Sequence, residues 1–496
     1  IVMGSGILQL ASYGKQDNEF YKKPTVTYFK TMYKTHTNFV SESIPQQFNI
    51  KPDFGKRVTC NIGDIADLMG NAYLNINLPP IGKFTDIPGE LGSGNSAISC
   101  CAWGDKIGLR LIKSIEFEVN DKVIEKHTSD WFNVYNELNT DASKKRAFDQ
   151  MIGNVEELYS FSESKDGYQL TIPLIFWFNK YADLHFPLIA TYNSSVKINI
   201  EFNTLENCLI LGPSHYVEIN ENVCLYKRGD VLSQNVNGKM HYFKFIYYDV
   251  LNKRLYYIKI TNEELVSTND IISITHPTYI VTANGKEKLY YNKKKYFSQT
   301  INLALGNTYL LIDYIFLDTS EKKMFLKHKL KYVISVLQFD NAKNIYHTGH
   351  KAKINYSYPC TELLFNCSQE YLQSGYMKDV FNYSADVTGT AEIMNGVTLY
   401  MNGQERFAEQ DMKYFNLLQS YEYHKSPGQI GLASYSFSVD LDSSQPAGYC
   451  NFSKMSDIEI QLKLNKNVSY NRPIKFKIYA TVLRLLTIEN GLCHLE

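Results

Sequence analysis

The chain has 496 residues, which is long enough for at least two domains with sizeable cores. Its 51 Lys and Arg residues balance 51 Asp and Glu residues, so a net charge of zero excludes a global field that would draw the protein to nucleic acid or to an anionic membrane. The 38 Tyr and 27 Phe residues, beside 3 Trp, favour an all-β fold.

The nine cysteines show neither zinc-ligand spacing nor a disulfide framework, and the close pairs are Cys100 with Cys101 and Cys360 with Cys367. We expect free thiols in a reducing compartment. The longest apolar run, at residues 170–178, is too short to cross a bilayer, and residues 1–6 lack the pattern of a secretory signal. We therefore predict no transmembrane helix, and folding in the cytoplasm.

Alternation of apolar and polar residues predicts antiparallel strands with one buried face at several places along the chain. The predicted buried residues are Leu74, Ile76 and Leu78; Ile115, Phe117 and Val119; Val196, Ile198, Ile200 and Phe202; and Ile458, Ile460, Leu462 and Leu464. The pattern changes between about residues 204 and 306, where Asn, Tyr and Lys crowd around ambiguous strands at residues 240–248 and 254–260. We interpret this region as an insertion with its own small β structure.

Two short helices are predicted among the strands, one beginning at Ser129 as its N-cap and one at residues 409–418. The apolar residues at helical spacing are Trp131, Val134, Tyr135 and Leu138 in the first, and Met412, Phe415 and Leu418 in the second. Asn402-Gly403 predicts a hairpin turn after a strand at residues 397–401, and Asn395-Gly396 gives a second turn signal just before that strand.

The segment from Tyr435 to Ser453, YSFSVDLDSSQPAGYCNFS, joins an alternating stretch to a turn and a return. Its odd-numbered residues from Tyr435 to Leu441 are apolar, which predicts a half-buried strand. Pro446 and Gly448 predict the turn. Many strands, few helices and no alternation of strands with helices indicate sandwiches, and two jelly rolls would suit a chain of this length.

Residues that could support catalysis or metal binding have simpler structural interpretations. His347 and His350 lack a third ligand and flank a loop-like glycine, so we expect a solvated turn. Glu116 and Glu118 share one face of a strand, which we expect to face solvent or another subunit. The lysine runs at residues 293–295 and 322–323 are expected to be solvated or paired with nearby acids. No catalytic, cofactor-binding or metal-binding residue is predicted.

The chain resembles the major capsid proteins of the nucleocytoplasmic large DNA viruses, the double jelly-roll family of chlorovirus, mimivirus and their relatives. The segment from Tyr435 to Ser453 resembles the C-terminal signature of that family. The other blocks that resemble it are ILQLASYGKQD from Ile7, TVTYFKTMYKTHTNF from Thr25, IGDIADLMGNAYLNINLPP from Ile62, VNDKVIEKHTSDWFNVYNEL from Val119, PLIFWFNKYADLHFPLIA from Pro173, DYIFLDTSEKKMF from Asp313, LYMNGQERFAEQDMKYFN from Leu399 and KIYATVLRLLTIENGL from Lys477.

The resemblance implies two consecutive eight-stranded jelly rolls, with an N-terminal arm at residues 1–24, a first jelly roll at 25–318 and a second at 319–496. It implies a structural protein that forms homotrimers and tiles an icosahedral virion shell with neighbouring capsomers and minor capsid proteins. From the zero net charge and the missing signal pattern we expect no direct contact with nucleic acid and assembly in the host cytoplasm. The insertion at 204–306, between presumed strands H and I, is expected on the virion exterior together with the D-to-E loops. No cofactor is implied.

Two sequons, at Asn366 and Asn382, fall in the predicted D-to-E loop of the second jelly roll and are candidates for glycosylation. Two other functions stay open from the sequence. A jelly-roll carbohydrate-binding viral surface protein would use Tyr-rich loops to stack on sugars. A β-sandwich hydrolase would need an acid pair, and no pair can be nominated.

Overall fold

The computed structural model describes residues 12, 15, 22–63, 65–82, 100–236, 239–261, 270–274, 279–290, 303–466, 468 and 472–496. The predicted arm lies almost wholly outside the described residues. Residues 24–38 form neither helix nor strand, and the first strand begins at Phe39.

Strands make up most of the regular structure. The first nine are β1 (Phe39–Gln46), β2 (Arg57–Ile62), β3 (Leu68–Leu78), β4 (Cys100–Trp103), β5 (Ile112–Val119), β6 (Lys122–Thr128), β7 (Tyr168–Pro173), β8 (Val196–Phe202) and β9 (Leu209–Gly212). The next seven are β10 (His215–Glu218), β11 (Val231–Val236), β12 (Lys239–Asp249), β13 (Arg254–Lys259), β14 (Asp270–Ser273), β15 (Ile280–Thr282) and β16 (Lys288–Leu289). The last twelve are β17 (Thr308–Leu317), β18 (Leu330–Phe339), β19 (Lys343–Ile345), β20 (Gly349–Lys353), β21 (Pro359–Gln369), β22 (Met394–Met401), β23 (Gln404–Gln410), β24 (Leu432–Ser436), β25 (Cys450–Asn451), β26 (Ile458–Leu464), β27 (Ile474–Glu489) and β28 (Leu492–Leu495).

The helices are short and lie in the connections. They are α1 (Ile107–Leu111), α2 (Ser129–Asn139), α3 (Lys145–Met151), α4 (Glu156–Tyr159), α5 (Trp177–Lys180), α6 (Leu205–Cys208), α7 (Thr319–Lys327), α8 (Glu370–Ser374) and α9 (Gln419–Tyr423). Short 3₁₀ turns occur at Ala182–Leu184, Leu188–Thr191 and Phe452–Lys454, and a π-helix occupies Tyr414–Leu418.

The strands form two sandwiches with the same order. In the first, β1-β17-β3-β7 faces β2-β8-β5-β6; in the second, β18-β27-β21-β24 faces β20-β26-β22-β23. With the eight strands of each sandwich lettered B to I along the chain, both have sheets B-I-D-G and C-H-E-F, which is the jelly-roll arrangement. The predicted all-β fold with two consecutive jelly rolls is confirmed. Alternation fixes the inner faces, because residues such as Leu74, Ile198 and Ile460 are almost completely buried.

Strands β10 to β16 form a third, seven-stranded sheet in the order β15-β14-β11-β12-β13-β10-β16. These strands lie between β8 and β17 in the chain, which are strands H and I of the first jelly roll. The two segments that were ambiguous in sequence correspond to β12 and β13. The sheet has its own apolar core, which includes Leu232, Phe243 and Tyr257.

The long strand predicted from Tyr435 onward is wrong beyond Ser436. Strand β24 ends there, and Val439 is 84% exposed whereas Ser438 is buried. The Ser436 hydroxyl donates to the Ser438 carbonyl oxygen, and the Ser438 hydroxyl donates to the Asp440 carbonyl oxygen. These local side-chain bonds replace a strand ladder.

The hairpin at Asn402-Gly403 is confirmed, with positive φ at both residues between β22 and β23. The second turn signal is wrong, because Asn395-Gly396 lies within β22, where the register shifts against β26. The helix predicted at residues 409–418 begins later, because β23 extends to Gln410. Met412 and Phe415 are buried as predicted, but the π-helix rotates Leu418 onto the surface.

Candidate functional surfaces

Helix α2 lies between strands F and G of the first jelly roll and packs against the second jelly roll. Its cap is Thr128 instead of the predicted Ser129: the Thr128 side chain accepts from the Trp131 N–H, while the Ser129 hydroxyl donates to the Leu109 carbonyl oxygen. The predicted residues Trp131, Val134 and Leu138 are buried. The Trp131 ring lies 5.3 Å from the ring of Tyr479 on β27.

Asp130, in the first turn of α2, is the centre of this contact. The hydroxyl of Tyr383 donates to its Oδ1 at 2.6 Å, and the hydroxyl of Tyr479 donates to its Oδ2 at 2.5 Å. Lys477 Nζ lies 3.0 Å from Oδ2. These three partners belong to the second jelly roll, as does Asn366, whose Nδ2 donates to Oδ2 at 3.5 Å. One buried carboxylate of the first jelly roll therefore binds several groups of the second.

The charge of Asp130 is maintained by these partners. Burial by itself would raise the pKa of its carboxyl group, but Lys477 and the two tyrosine hydroxyls outweigh burial and hold the pKa below its ordinary value. Burial and the nearby carboxylate raise the pKa values of Tyr383 and Tyr479 well above the ordinary range, so both hydroxyls stay protonated donors.

Lys106 connects helix α2 to the D-to-E connection of the second jelly roll. Its Nζ donates to Asn133 Oδ1 and to Glu137 Oε1, both at 2.6 Å, and lies 5.8 Å from the centre of the Phe381 ring. Burial would raise the pKa of Glu137, but Lys106 outweighs it and lowers that pKa. The ion pair is largely buried, so salt screens it less than an exposed pair.

Arg110 joins three parts of the chain through backbone carbonyl groups. This buried residue of α1 donates from Nε to the Asn207 carbonyl oxygen at 2.6 Å and from Nη2 to the Lys378 carbonyl oxygen at 2.7 Å. Asn207 lies at the start of the region between β8 and β17, and Lys378 lies in the D-to-E connection of the second jelly roll. A buried guanidinium group with these partners fixes all three segments at one point.

The inserted sheet packs on loops from both jelly rolls. Strand β9 pairs with β4, which lies in the D-to-E connection of the first jelly roll. Ile210, Ile246 and Ile258 form an apolar cluster with Cys100 and its neighbours, and Tyr376 and Met377 of the second jelly roll pack against it. The H-to-I insertion of the first jelly roll therefore meets the D-to-E connections of both, so these connections lie at the same end of the molecule.

The charged residues that the sequence suggested for catalysis or metal binding form ion pairs and hydrogen bonds with neighbouring side chains or lie at strand ends. Glu116 forms ion pairs with Arg57 and Lys126, both at 2.7 Å, and Glu118 accepts from Asn199 at 2.8 Å. His350 lies on β20, with His347 just before that strand. Lys322 pairs with Asp67 at 2.9 Å. The lysine run at 293–295 lies outside the described residues.

The two sequons have different environments. Asn366 lies on β21 with its side chain completely buried beside Asp130, so the prediction that it occupies an exposed loop is wrong. Asn382 lies in the connection between β21 and β22, where its Nδ2 donates to Asp379 Oδ2 and to the Asp386 carbonyl oxygen, both at 3.1 Å. Glycosylation of Asn382 stays a prediction.

Within the described residues, no group of three or more His, Cys, Asp or Glu side chains is placed to hold a metal ion. Across the same ranges, no helix is long and apolar enough to cross a membrane.

Two solved structures of virus capsid proteins have a similar fold. The chain superimposes on the PBCV-1 virus capsid with a TM-score of 0.62 and 21% identity, covering 95% of this chain and 99% of that chain. The Faustovirus major capsid protein gives a TM-score of 0.66 and 13% identity, covering 96% of this chain and 94% of that chain. At these identities the likeness establishes the fold.

Sequence comparison is more specific. The family described as "Major capsid protein N-terminus" matches residues 27–249, and the family described as "Large eukaryotic DNA virus major capsid protein" matches residues 321–493. The "Major capsid protein" of Phaeocystis pouchetii virus is 25% identical and covers 99% of both chains. "Probable capsid protein 4" of Acanthamoeba polyphaga mimivirus is 33% identical and covers 98% of both. This chain therefore belongs to the major capsid proteins of large eukaryotic DNA viruses.

Proposed function

We propose that this major capsid protein associates as a homotrimer with a pseudo-hexagonal outline, and that the trimers tile the icosahedral shell of a large double-stranded DNA virus. The observation that supports this proposal is the packing of the two jelly rolls within one chain. They have the same strand order, and their D-to-E connections meet the same inserted sheet. Two like sandwiches thus stand side by side in the same orientation.

Side-by-side packing of this kind can be repeated between chains. A contact between two different surfaces generates a ring when its rotation closes and a filament when it does not. Three chains supply six sandwiches. If the second jelly roll is rotated by about one sixth of a turn relative to the first, and the same rotation is repeated between chains, the ring closes after three chains. Such a ring presents six nearly equivalent edges to neighbouring capsomers.

The two ends of the ring would have different roles. We place the inserted sheet on the outer surface of the shell, as a tower above both jelly rolls. The N-terminal arm at residues 1–24 would lie at the opposite end and contact minor capsid proteins. In this division the first jelly roll occupies 25–318, with its insertion at 204–306, and the second occupies 319–496. All nine cysteines are free, which suits assembly in the reducing host cytoplasm.

Sedimentation of the purified protein tests the trimer. We expect a particle of three times the chain mass of 57.1 kDa, with three-fold symmetry in electron micrographs. A stable monomer that binds sugars on a glycan array would favour the carbohydrate-binding alternative.

Antibody labelling of intact particles tests the tower. An antibody raised against the β10 to β16 sheet should decorate intact virions, because that sheet would project from the shell. An antibody against the N-terminal arm is the control and should bind only after disruption. Absence of external label with the first antibody would contradict the assignment.

Deletion of residues 1–23 tests the arm. The truncated chain should still form trimers, because both jelly rolls are complete, but growth of the shell lattice should be impaired. The measurement is the yield of closed shells relative to trimer in an assembly reaction with minor capsid proteins. Normal shells from the truncated chain would count against a role of the arm.

Replacing Asp130 by Ala tests the contact between the jelly rolls. The change leaves Lys477 and two tyrosine hydroxyls without their acceptor, and breaking such a buried pair costs about 3–5 kcal/mol in free energy of unfolding. Because the folded-state pKa is lowered, this stabilisation is complete above the unfolded-state pKa and is lost as the pH falls through the folded-state value.

Denaturant titration at neutral pH measures the effect. Asp166→Ala removes an exposed carboxylate and serves as the matched control, with an expected change within about 0.5 kcal/mol. Equal stabilities of the two variants would show that the Asp130 contact does not hold the jelly rolls together.

A further inference from the structure

The contact within the chain defines a donor surface and a receiving surface. The donor is the connection between strands F and G of the first jelly roll, which contains helix α2. The receiver is one face of the B-I-D sheet of the second jelly roll. The register of β21 and β27 places Leu364 opposite Tyr479 and Asn366 opposite Lys477, so the four side chains lie on one face of the sheet. Helix α2 contacts this face through Asp130 and Trp131.

Among the residues that the structure describes, the corresponding B-I-D face of the first jelly roll has no helix packed on it in the way that α2 packs on the second. Pairing of β1, β17 and β3 places Leu311 between Pro45 and Tyr73, and Tyr309 lies two residues away on the same face. The intervening residues Leu310 and Ile312 point into the core and are fully buried. Within the described residues, Tyr73, Tyr309 and Leu311 stay partly exposed. We call these three residues the open face.

The second jelly roll has the corresponding connection between strands F and G, and its helical part is held firmly on its own sandwich. The Asn416 side-chain amide donates to the carbonyl oxygens of Gly428, Gln429 and Leu432. Phe415 is buried and lies 5.5 Å, between ring centres, from Phe365.

The opposite side of this helical part is apolar and faces solvent. Leu417 and Leu418 are each 52% exposed and Tyr421 is 89% exposed. We call these three residues the free helix side. Contiguous exposed apolar side chains on a rigid element indicate an interaction surface.

We propose that the free helix side of one copy covers the open face of a second copy, which repeats between chains the contact that α2 makes within the chain. Within the described part of the chain, the contact between the two jelly rolls uses neither the free helix side nor the open face, and the strand order assigns these two surfaces to equivalent positions of the two sandwiches. This inference rests on the proposed trimer and identifies the surfaces that form it.

Charges near the two surfaces are complementary. Lys413, beside the free helix side, is exposed, and Asp313 lies on the same strand face as Leu311. Within the chain, the helix carries the negative charge of Asp130 and the sheet carries the positive charge of Lys477. Between chains, the helix would carry the positive charge of Lys413 and the sheet the negative charge of Asp313. Opposite charges at the edge of an apolar contact favour one orientation of the partners.

Two variants test the two surfaces separately. A helix variant combines Leu417→Asp with Tyr421→Asp, and a face variant combines Tyr309→Lys with Leu311→Lys. Leu251→Asp is the matched control, because Leu251 is a 95% exposed apolar residue in the turn between β12 and β13. Near-ultraviolet circular dichroism and protease resistance verify that each variant is folded.

The expected particle mass distinguishes the folded controls, the separate double variants and their mixture. Wild type and Leu251→Asp should sediment as three copies, and each double variant alone should sediment as one copy. An equimolar mixture should give a dimer of one helix variant and one face variant. The free helix side is intact only in the face variant and the open face is intact only in the helix variant, so a single contact can form.

A photo-crosslinking residue at position 421 gives an independent measurement that needs no destabilising change. In the wild-type background it should join residues 309–313 of another copy. A single-copy wild type would overturn the proposed trimer itself. A three-copy wild type whose variants also remain three-copy, or crosslinks confined to other segments, would overturn this contact and leave the trimer standing.

Discussion

The contact between the two jelly rolls is centred on one buried carboxylate. Asp130 is removed from water, and such a charge is stable only with close partners of suitable geometry. Two hydroxyl donors and one ammonium group of the second jelly roll satisfy it. An apolar contact tolerates sliding, whereas three directional partners fix helix α2 at one position on the sheet, so we interpret Asp130 as the residue that sets the angle between the jelly rolls.

Other buried ionic groups extend this arrangement toward the loops. Lys106 holds helix α2 through Asn133 and Glu137, and Arg110 ties the beginning of the insertion to the D-to-E connection of the second jelly roll. The inserted sheet then rests on loops whose positions are already set. The apolar cores stabilise the fold, and the buried ionic groups fix the relative positions of its parts. A capsid subunit needs fixed positions, because a small angular error in one subunit would be repeated over the shell.

Much of the fold could be predicted from the sequence, because alternation reports directly which side of a strand is buried. The strands around Leu74, Ile198 and Ile460 follow this rule, and Asn402-Gly403 marks its hairpin because both residues tolerate positive φ. The prediction fails where side chains bond to the local backbone. Ser436 and Ser438 end a strand that has a correct alternating pattern, and no periodicity reveals such bonds.

The contact surfaces were largely invisible in sequence. Asp130 lies in a segment that resembles the family, but its partners Tyr383 and Tyr479 are 253 and 349 residues away in the chain. Asn366 is a second example of a contact that local sequence does not reveal. A sequon is defined by three neighbouring residues, and it does not show that helix α2 covers the Asn366 side chain. The π-helix at Tyr414–Leu418 exposes Leu418, which helical spacing had placed in the core.

Electron cryomicroscopy of the assembled protein would compare the contact between the jelly rolls within a chain with the contact between chains. We predict two nearly equal rotations about one common axis: the rotation from the first to the second jelly roll of a chain, and the rotation from that second jelly roll to the first jelly roll of the next copy. A two-fold assembly, or two rotations about different axes, would contradict it.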